Sequence, residues 1–200
     1  MTNMKNLFSR ALLALMLATG AGAALAGPSY HVTVDTSGYT GSGMIDFLLL
    51  GQETPPATTV TLSNFSGNFG DVSTIEGDAS GSIGGNVVLG TGAFFNQFAQ
   101  NLTLGQLFGF DLEFNTAASG DPLSFSIGLF SDVLDEYLGD ETGTLVQFDL
   151  TPGQPEVLTV AAPIAAVGPV AAGEVPEPAT LASLMFGLAL MGSSLRARRK

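Results

Sequence analysis

Large apolar residues alternate with glycine and acidic residues over seven consecutive positions near the middle of this chain. Residues 108–114 run Phe-Gly-Phe-Asp-Leu-Glu-Phe. Because successive side chains of a β-strand point to opposite faces, the four large residues share one face, and Gly109, Asp111 and Glu113 share the other. The alternation returns at 123–129, where Leu, Phe, Ile and Leu are separated by Ser, Ser and Gly. Both segments predict strands with one buried face.

Six further segments carry shorter versions of this pattern, and turn signals separate them. The candidate strands are Tyr30–Val34, Ile45–Leu49, Val60–Leu62, Val87–Leu89, Val146–Leu150 and Val157–Val160. The turn signals are Ser37-Gly38, Gly67-Asn68, Gly84-Gly85, Ser119–Pro122 and Pro152-Gly153. Short strands with one apolar face must bury those faces against one another. The predicted fold class is therefore all-β, a two-sheet β-sandwich or jelly-roll-like domain over residues 27–160.

Three segments depart from the strand pattern. Helical spacing relates Phe94, Phe95 and Phe98, and also Val133, Leu134, Tyr137 and Leu138, which predicts one or two short helical turns. Residues 161–173 form an uncharged Ala/Pro/Val/Gly tract without alternation. This composition favours an extended spacer, and Pro163 and Pro169 disfavour the alternative, a final edge strand. The linker is assigned to residues 161–174.

Positive charge is confined to the two ends of the chain. All six cations are Lys5, Arg10, Arg196, Arg198, Arg199 and Lys200. The body from Gly27 to Glu174 holds 17 of the 18 acids and no Lys or Arg, so its net charge is near −17. A body of this charge repels nucleic acid, which is excluded as a partner. The chain has no Cys, which rules out disulfides.

The first 26 residues have the three parts of a secretory signal peptide. A basic region with Lys5 and Arg10 precedes an apolar stretch at 11–18, and small residues follow. Ala24 and Ala26 fit the small-x-small rule of signal peptidase, with cleavage before Gly27. Signal peptidase and the general secretion machinery are thus predicted partners. The alternative is a short amphipathic helix, which a run without a polar face disfavours.

The last 26 residues form a tail in three parts. Val175-Pro176-Glu177-Pro178-Ala179-Thr180 precedes an apolar run at 181–195, and the basic end at 196–200 contains Arg196, Arg198, Arg199 and Lys200. As a helix the run would measure about 22 Å, which is short for a hydrocarbon core of roughly 30 Å. The basic end would stop transfer and stay on the cytoplasmic side. The pattern predicts a marginal transmembrane helix.

This tail resembles the C-terminal sorting signal of bacterial PEP-CTERM proteins, which exosortases (membrane cysteine proteases) recognise and process. The resemblance implies that Val175, Pro176, Glu177 and Pro178 are substrate residues of the sorting motif, in a signal spanning 175–200. Since Pro fixes φ and biases the preceding residue away from helix, this segment stays extended, as protease clefts require. The resemblance further implies an exosortase partner, transient anchoring in the inner membrane, and delivery to the cell surface or extracellular space. Extracellular polysaccharide is a further implied partner.

The body resembles a group of PEP-CTERM proteins of unassigned activity. The similarity lies in Tyr30–Ser37, Ser63–Phe65 and Ser124–Phe130. These motifs have the character of core and turn residues. The resemblance supports the domain and implies no chemistry.

No catalytic residue is assigned. Ser–His hydrolysis requires a histidine base, and the single histidine, His31, lies in the first predicted strand. Asp35 shares its strand face but lies about 13 Å away, so His31 is predicted to be a surface or sheet-face residue. Asp111 and Glu113 lie roughly 6.6 Å apart along one strand, between the separations of retaining and inverting glycosidases. They are interpreted as a solvated face, and the chain is predicted not to be an enzyme.

Calcium is the one cofactor that the residue types suggest. Acids cluster at Asp132, Asp135, Glu136, Asp140 and Glu141, and again at Asp71, Glu76 and Asp78. Hard oxygen ligands in loops suit Ca²⁺. Neither cluster has EF-hand spacing, and acidic loops also simply face water. No metal ligand is assigned, and a structural calcium ion stays a hypothesis.

Two functions remain open at this point. One is an exported, non-enzymatic protein of the cell envelope or extracellular matrix. The other is a glycan- or calcium-dependent binding module at the cell surface. Sugar-stacking platforms favour Trp and Tyr, and the chain has no Trp and three Tyr, which favours the first hypothesis.

Overall fold

A computed structural model describes residues 28–132 and 136–170 as a domain built from strands, without helices in that part of the chain. In chain order the strands are β1 (Ser29–Asp35), β2 (Ser42–Leu50), β3 (Thr58–Ser66), β4 (Phe69–Glu76), β5 (Ala79–Gly81), β6 (Val87–Gly90), β7 (Phe95–Thr103), β8 (Leu107–Thr116), β9 (Leu123–Ser131), β10 (Thr144–Leu150), β11 (Val157–Val160) and β12 (Ala165–Pro169). The all-β prediction is confirmed.

The strands form two six-stranded antiparallel sheets. The first sheet has the order β12-β1-β8-β3-β6-β5, and the second has the order β11-β10-β9-β2-β7-β4. The pairs β1–β8, β2–β7 and β3–β6 are nested in sequence and fall alternately in the first and second sheets. A double strand wound around a core in this way has the connectivity of a jelly roll. The predicted two-sheet sandwich is therefore confirmed in jelly-roll form.

The core between the sheets is built from the apolar faces that the alternation predicts. In β8, Phe108, Phe110, Leu112 and Phe114 are each at most 2% exposed. Aromatic rings join the sheets: the Phe47 and Phe110 centroids lie 5.0 Å apart, and those of Phe114 and Phe148 lie 4.9 Å apart. Full burial of one such side chain contributes about 1.5–3 kcal/mol. With no Lys or Arg in the body, this apolar burial and the backbone ladders hold the domain together.

The helical turn predicted around Phe94, Phe95 and Phe98 is wrong. β7 begins at Phe95 and continues to Thr103. Asn96, Phe98 and Gln100 lie on the inward face of this strand. Because two of these three buried side chains are polar amides, the alternation of apolar and polar residues typical of a strand is not apparent in the sequence. The amides are satisfied by backbone carbonyls: Asn96 Nδ2 donates to the carbonyls of residues 49 and 93, and Gln100 Nε2 donates to that of residue 70.

The second predicted helical turn falls partly on residues 133–135, which lie outside the described part. Where the segment resumes, Tyr137 forms an antiparallel bridge with Phe130. The Tyr137 ring also packs edge-on against the Phe130 ring at 5.4 Å. Leu138 is 5% exposed and joins the core. The described portion is therefore paired with β9 in β conformation.

The assignment of residues 161–170 to a spacer is also wrong. β12 pairs with β1 from Val34↔Ala165 to Tyr30↔Pro169 and closes one edge of the first sheet. Pro163 precedes this strand, and Pro169 ends it. On an edge strand a missing N–H removes no bond from a further neighbour, so Pro is tolerated there. The alternative that the sequence disfavoured, a final edge strand, is the one observed.

The predicted signal peptide (1–26) and C-terminal transmembrane helix (181–195) lie outside the described residues. Within residues 28–132 and 136–170, no helix has the length and apolar character needed to span a bilayer.

Candidate functional site

A polar cluster lies on the outer face of the first sheet, where β1, β8 and β3 are neighbours. The register sets His31 directly opposite Asp111. His31 Nδ1 lies 2.6 Å from Asp111 Oδ1, and Asn64 Nδ2 donates to Asp111 Oδ2 at 2.7 Å. Asn64 adopts φ 52°, a left-handed conformation that Asn tolerates better than most residues. The cluster therefore engages both oxygens of one carboxylate.

This cluster changes the interpretation of the sequence-predicted residues. His31 is a sheet-face residue with a half-exposed side chain, as predicted. Its carboxylate partner comes from the neighbouring strand and not from Asp35, which instead accepts a bond from the Ser37 amide. Burial raises the pKa of Asp111, but the hydrogen bonds from Asn64 and His31 outweigh it and leave that pKa below its usual value. A partner on a neighbouring strand can be identified only when the strand register is known.

The polar groups of this cluster already make hydrogen bonds to one another or to the backbone, which limits the chemistry that they can perform. Ser66 Oγ and His31 Nε2 both border Gly109. Ser66 Oγ donates to the Gly109 carbonyl oxygen at 3.3 Å, so the nearest hydroxyl is bonded to backbone. Asp111 is held by two side chains, and Glu113 is exposed two residues along the same face. The two carboxylates thus have different surroundings and do not form an equivalent pair.

Two acids of the predicted clusters, Asp78 and Asp140, accept hydrogen bonds from backbone amides. Asp140 Oδ1 accepts the Thr142 amide at 2.8 Å, and hydrogen bonds from Thr142 lower the pKa of Asp140. Asp78 Oδ2 accepts the Gly92 amide at 2.8 Å. Over the described ranges, no three His, Asp or Glu side chains converge as a metal-ligand set. Asp135 lies outside those ranges, and the calcium hypothesis stays a hypothesis.

A polar groove of about 600 Å³ opens on the outer face of the first sheet. Its polar and glycine lining consists of Thr58, Thr59, Asp78, Gly90, Thr91, Gly92 and Asn115. Register explains the arrangement, because Thr59 in β3 lies opposite Asn115 in β8 and opposite Gly90 in β6. Adjacent strands are about 4.8 Å apart. An amide, a hydroxyl and a glycine gap therefore form one row across three strands.

Asp78 fills the gap that Gly90 leaves in this row. A Cβ atom at Gly90 would overlap the Asp78 carboxylate, and one at Gly92 would lie 2.8 Å from Asp78 Oδ2. The aspartate is tied to the wall by its backbone as well, since the Gly90 amide donates to its carbonyl at 2.7 Å. The groove could not be predicted from the sequence because its residues come from four separated segments. The glycines flanking Thr91 were the only local signal.

A buried carboxylate lies on the outer face of the second sheet. Asp46 in β2 is flanked by Ala99 and Gly128, and it is 9% exposed. The Phe130 ring leans over Gly128, with Cε2 2.9 Å from the place a Cβ would take. Burial raises the pKa of Asp46 to about 6, and a hydrogen bond from Gln97 offsets only part of this. Within the described residues, Asp46 Oδ1 has no hydrogen-bond partner.

Replacing this carboxylate is expected to stabilise the protein near neutral pH. In the unfolded chain Asp46 ionises near its usual value, so the folded state loses stability as pH rises from about 4 to about 6. A shift of about two pKa units corresponds to roughly 3 kcal/mol. Asp46→Asn should therefore raise the free energy of unfolding by about 2 kcal/mol at pH 7.5 and by little at pH 4. Guanidinium unfolding at both pH values measures this, and a gain equal at both would contradict it.

The residues assigned to sorting and processing lie outside the described part of the chain. They are Ala24 and Ala26 at the front, Val175, Pro176, Glu177 and Pro178 in the motif, and Arg196, Arg198, Arg199 and Lys200 at the end. The structure describes the domain that they would export.

Comparison with known proteins adds one finding, at the carboxyl end. No curated protein and no solved structure was found to match the chain. A family model described as the PEP-CTERM protein-sorting motif matches residues 174–200. This match covers the three-part tail and supports exosortase-dependent, membrane-associated sorting of an exported protein to the cell surface. The chain therefore carries a PEP-CTERM sorting motif at its carboxyl end, and its processing partner is an exosortase.

Proposed function

We propose that this chain is an exported, non-enzymatic protein of the cell envelope or extracellular matrix. The PEP-CTERM motif at 174–200 is the observation that carries the proposal. On this account the domain reaches its destination as cargo of the sorting pathway. The tail specifies where the domain goes, and the sandwich is what is delivered.

The proposed route uses both ends of the chain. Signal peptidase removes residues 1–26 after Ala26, and the helix at 181–195 anchors the exported chain in the inner membrane. The four cations of the basic end keep the terminus on the cytoplasmic side. Exosortase then acts at Val175–Pro178, and the domain is released to the surface or the extracellular space.

The non-enzymatic part of the proposal is supported by how the polar groups of the domain are used. Asp111 accepts from two side chains, and Ser66 donates to a backbone carbonyl. The described residues contain no Lys or Arg to stabilise a developing negative charge. A nested jelly roll with a continuous aromatic core suits a structural or binding role.

The second candidate is a glycan- or calcium-dependent binding module that follows the same route. The polar groove is the observation that favours its glycan form. The calcium form has weaker support, because Asp78 and Asp140 each already accept a hydrogen bond from a backbone amide. Under both candidates the route to the surface is the same.

The experiment that tests the sorting proposal compares cells with and without their exosortase. With the enzyme, the chain should be recovered outside the inner membrane as a form shortened at its carboxyl end. Without it, the chain should accumulate in the membrane fraction with residues 181–200 attached. Mass spectrometry of the carboxyl terminus reads both states. An identical terminus and identical location in the two strains would contradict the proposal.

A further inference from the structure

We propose that the polar groove on the first sheet binds an uncharged polysaccharide. The ligand class follows from the groups that the groove presents and from the charge around it. This inference deepens the binding-module candidate and rests on the surface location proposed above for access to its ligand. Binding itself is a property of the groove and can be measured independently of sorting.

The groove presents hydrogen-bonding groups that the domain leaves without partners. Among the described residues, neither the Thr59 hydroxyl nor the side-chain amide of Asn115 makes a hydrogen bond. Both residues lie on central strands of the first sheet. Asp78 uses Oδ2 to accept from Gly92, and Oδ1 has no protein donor within those same residues. Hydroxyl, amide and carboxylate groups together can both donate to and accept from sugar hydroxyls.

The carboxylate is held in place before any ligand arrives. The Gly92 amide fixes one of its oxygens, and the absence of side chains at Gly90 and Gly92 lets the carboxylate lie against β6. A fixed acceptor loses little conformational entropy on binding. The groove is also shallow and lined with small residues, including Ala57 and Ala117. A broad, flat polymer can therefore lie across it.

Charge selects an uncharged polymer over an anionic one. The body holds no Lys or Arg, so it offers no cation to pair with a uronate, sulfate or phosphate group. Asp78 adds a negative charge inside the groove itself. An anionic polysaccharide would meet repulsion there, whereas hydroxyl groups donate to a carboxylate favourably.

An exposed aromatic residue lies next to the groove in sequence. Phe94 is 65% exposed, and it follows Gly92 by two positions. Two residues span at most about 7 Å, so the two Cα atoms lie within that distance. Aromatic rings can stack against the apolar face of a sugar ring. In this proposal, Phe94 is the residue near the groove that supplies a stacking platform in a chain without Trp.

Affinity electrophoresis of the full chain in mild detergent tests this inference. Native gels containing dextran, laminarin or mannan serve as the uncharged probes, and alginate serves as the anionic probe. Retardation by at least one uncharged polymer is expected, with and without a calcium chelator, and none by alginate. The Asp78→Asn, Thr59→Val and Asn115→Ala variants should each weaken binding, by about tenfold for Asp78 and about fivefold for the others.

Matched controls separate the groove from the rest of the domain. Thr61→Val changes the next outward residue of β3, outside the groove, and Asp71→Asn removes an exposed charge from β4. Both should bind like the unaltered chain. Failure of every uncharged polymer to retard the chain would overturn the inference. So would unchanged binding by the three groove variants, or binding to alginate only when calcium is present. A chain that binds but is never processed would count against the sorting proposal alone.

Discussion

Phe114→Ala is expected to lower the free energy of unfolding by about 3–5 kcal/mol. Phe114 is 1% exposed in β8 of the first sheet. Its ring packs at 4.9 Å from Phe148 and at 5.8 Å from Phe125, both in the second sheet, and at 6.1 Å from Tyr30. Removing it leaves a cavity where the two sheets meet, and the rigid strands on both sides can close it only in part.

Guanidinium unfolding followed by circular dichroism measures this loss. Leu107→Ala is the matched control, because Leu107 begins the same strand but is 61% exposed. Its effect should stay within about 0.5 kcal/mol. If the alanine variant does not fold, Phe114→Leu should still fold and lose a smaller amount. A loss below 1 kcal/mol for Phe114→Ala would contradict the packing described here.

Apart from β11, whose four residues are exposed, the strand segments that the sequence predicted have apolar inward faces. β8 and β9 alternate without interruption, so their burial follows directly from their pattern. β7 was not predicted as a strand because Asn96 and Gln100 occupy inward positions. Their burial is tolerated because both side chains donate hydrogen bonds to backbone carbonyls, which only the tertiary structure brings near. β12 was not predicted because Pro169 and a run of small residues are also typical of a linker. Its strand conformation depends on pairing with β1, which is distant in sequence.

The candidate sites also differ in whether a local sequence pattern is enough to identify them. The sorting tail is a local pattern, so sequence alone was sufficient to find it. The His31–Asp111 contact spans 80 positions and the groove gathers residues from 57 to 117, so both depend on register. Register is decided by the packing of whole strand faces, which single-residue patterns do not encode.

Changing Pro176 and Pro178 together to Ala is expected to reduce processing of the tail at least tenfold. The two prolines are predicted from the sequence to hold Val175–Pro178 extended, the form in which protease clefts generally bind a substrate. Alanine favours helix and would let the helix predicted at 181–195 extend into the motif. The scissile region would then be wound and drawn toward the membrane. A pulse-chase experiment with immunoblotting of membrane and released fractions measures the processed share.

Pro163→Ala provides the control for this pair. Pro163 lies between β11 and β12, outside the family match, and is exposed. Its substitution should leave processing at the level of the unaltered chain. Processing of the Pro176/Pro178 variant at that same level would show that an extended motif is not required.

On the proposed route, the carboxyl end tethers an exported sandwich domain without Lys or Arg to the membrane only until the tail is processed. The intact mass of the protein recovered from producing cells tests this most directly. The expected result is a surface or extracellular form that lacks residues 1–26 and the predicted helix and basic end at 181–200. Recovery of the chain from the cytosol, with Met1 or the residue after it at one end and Lys200 at the other, would contradict it.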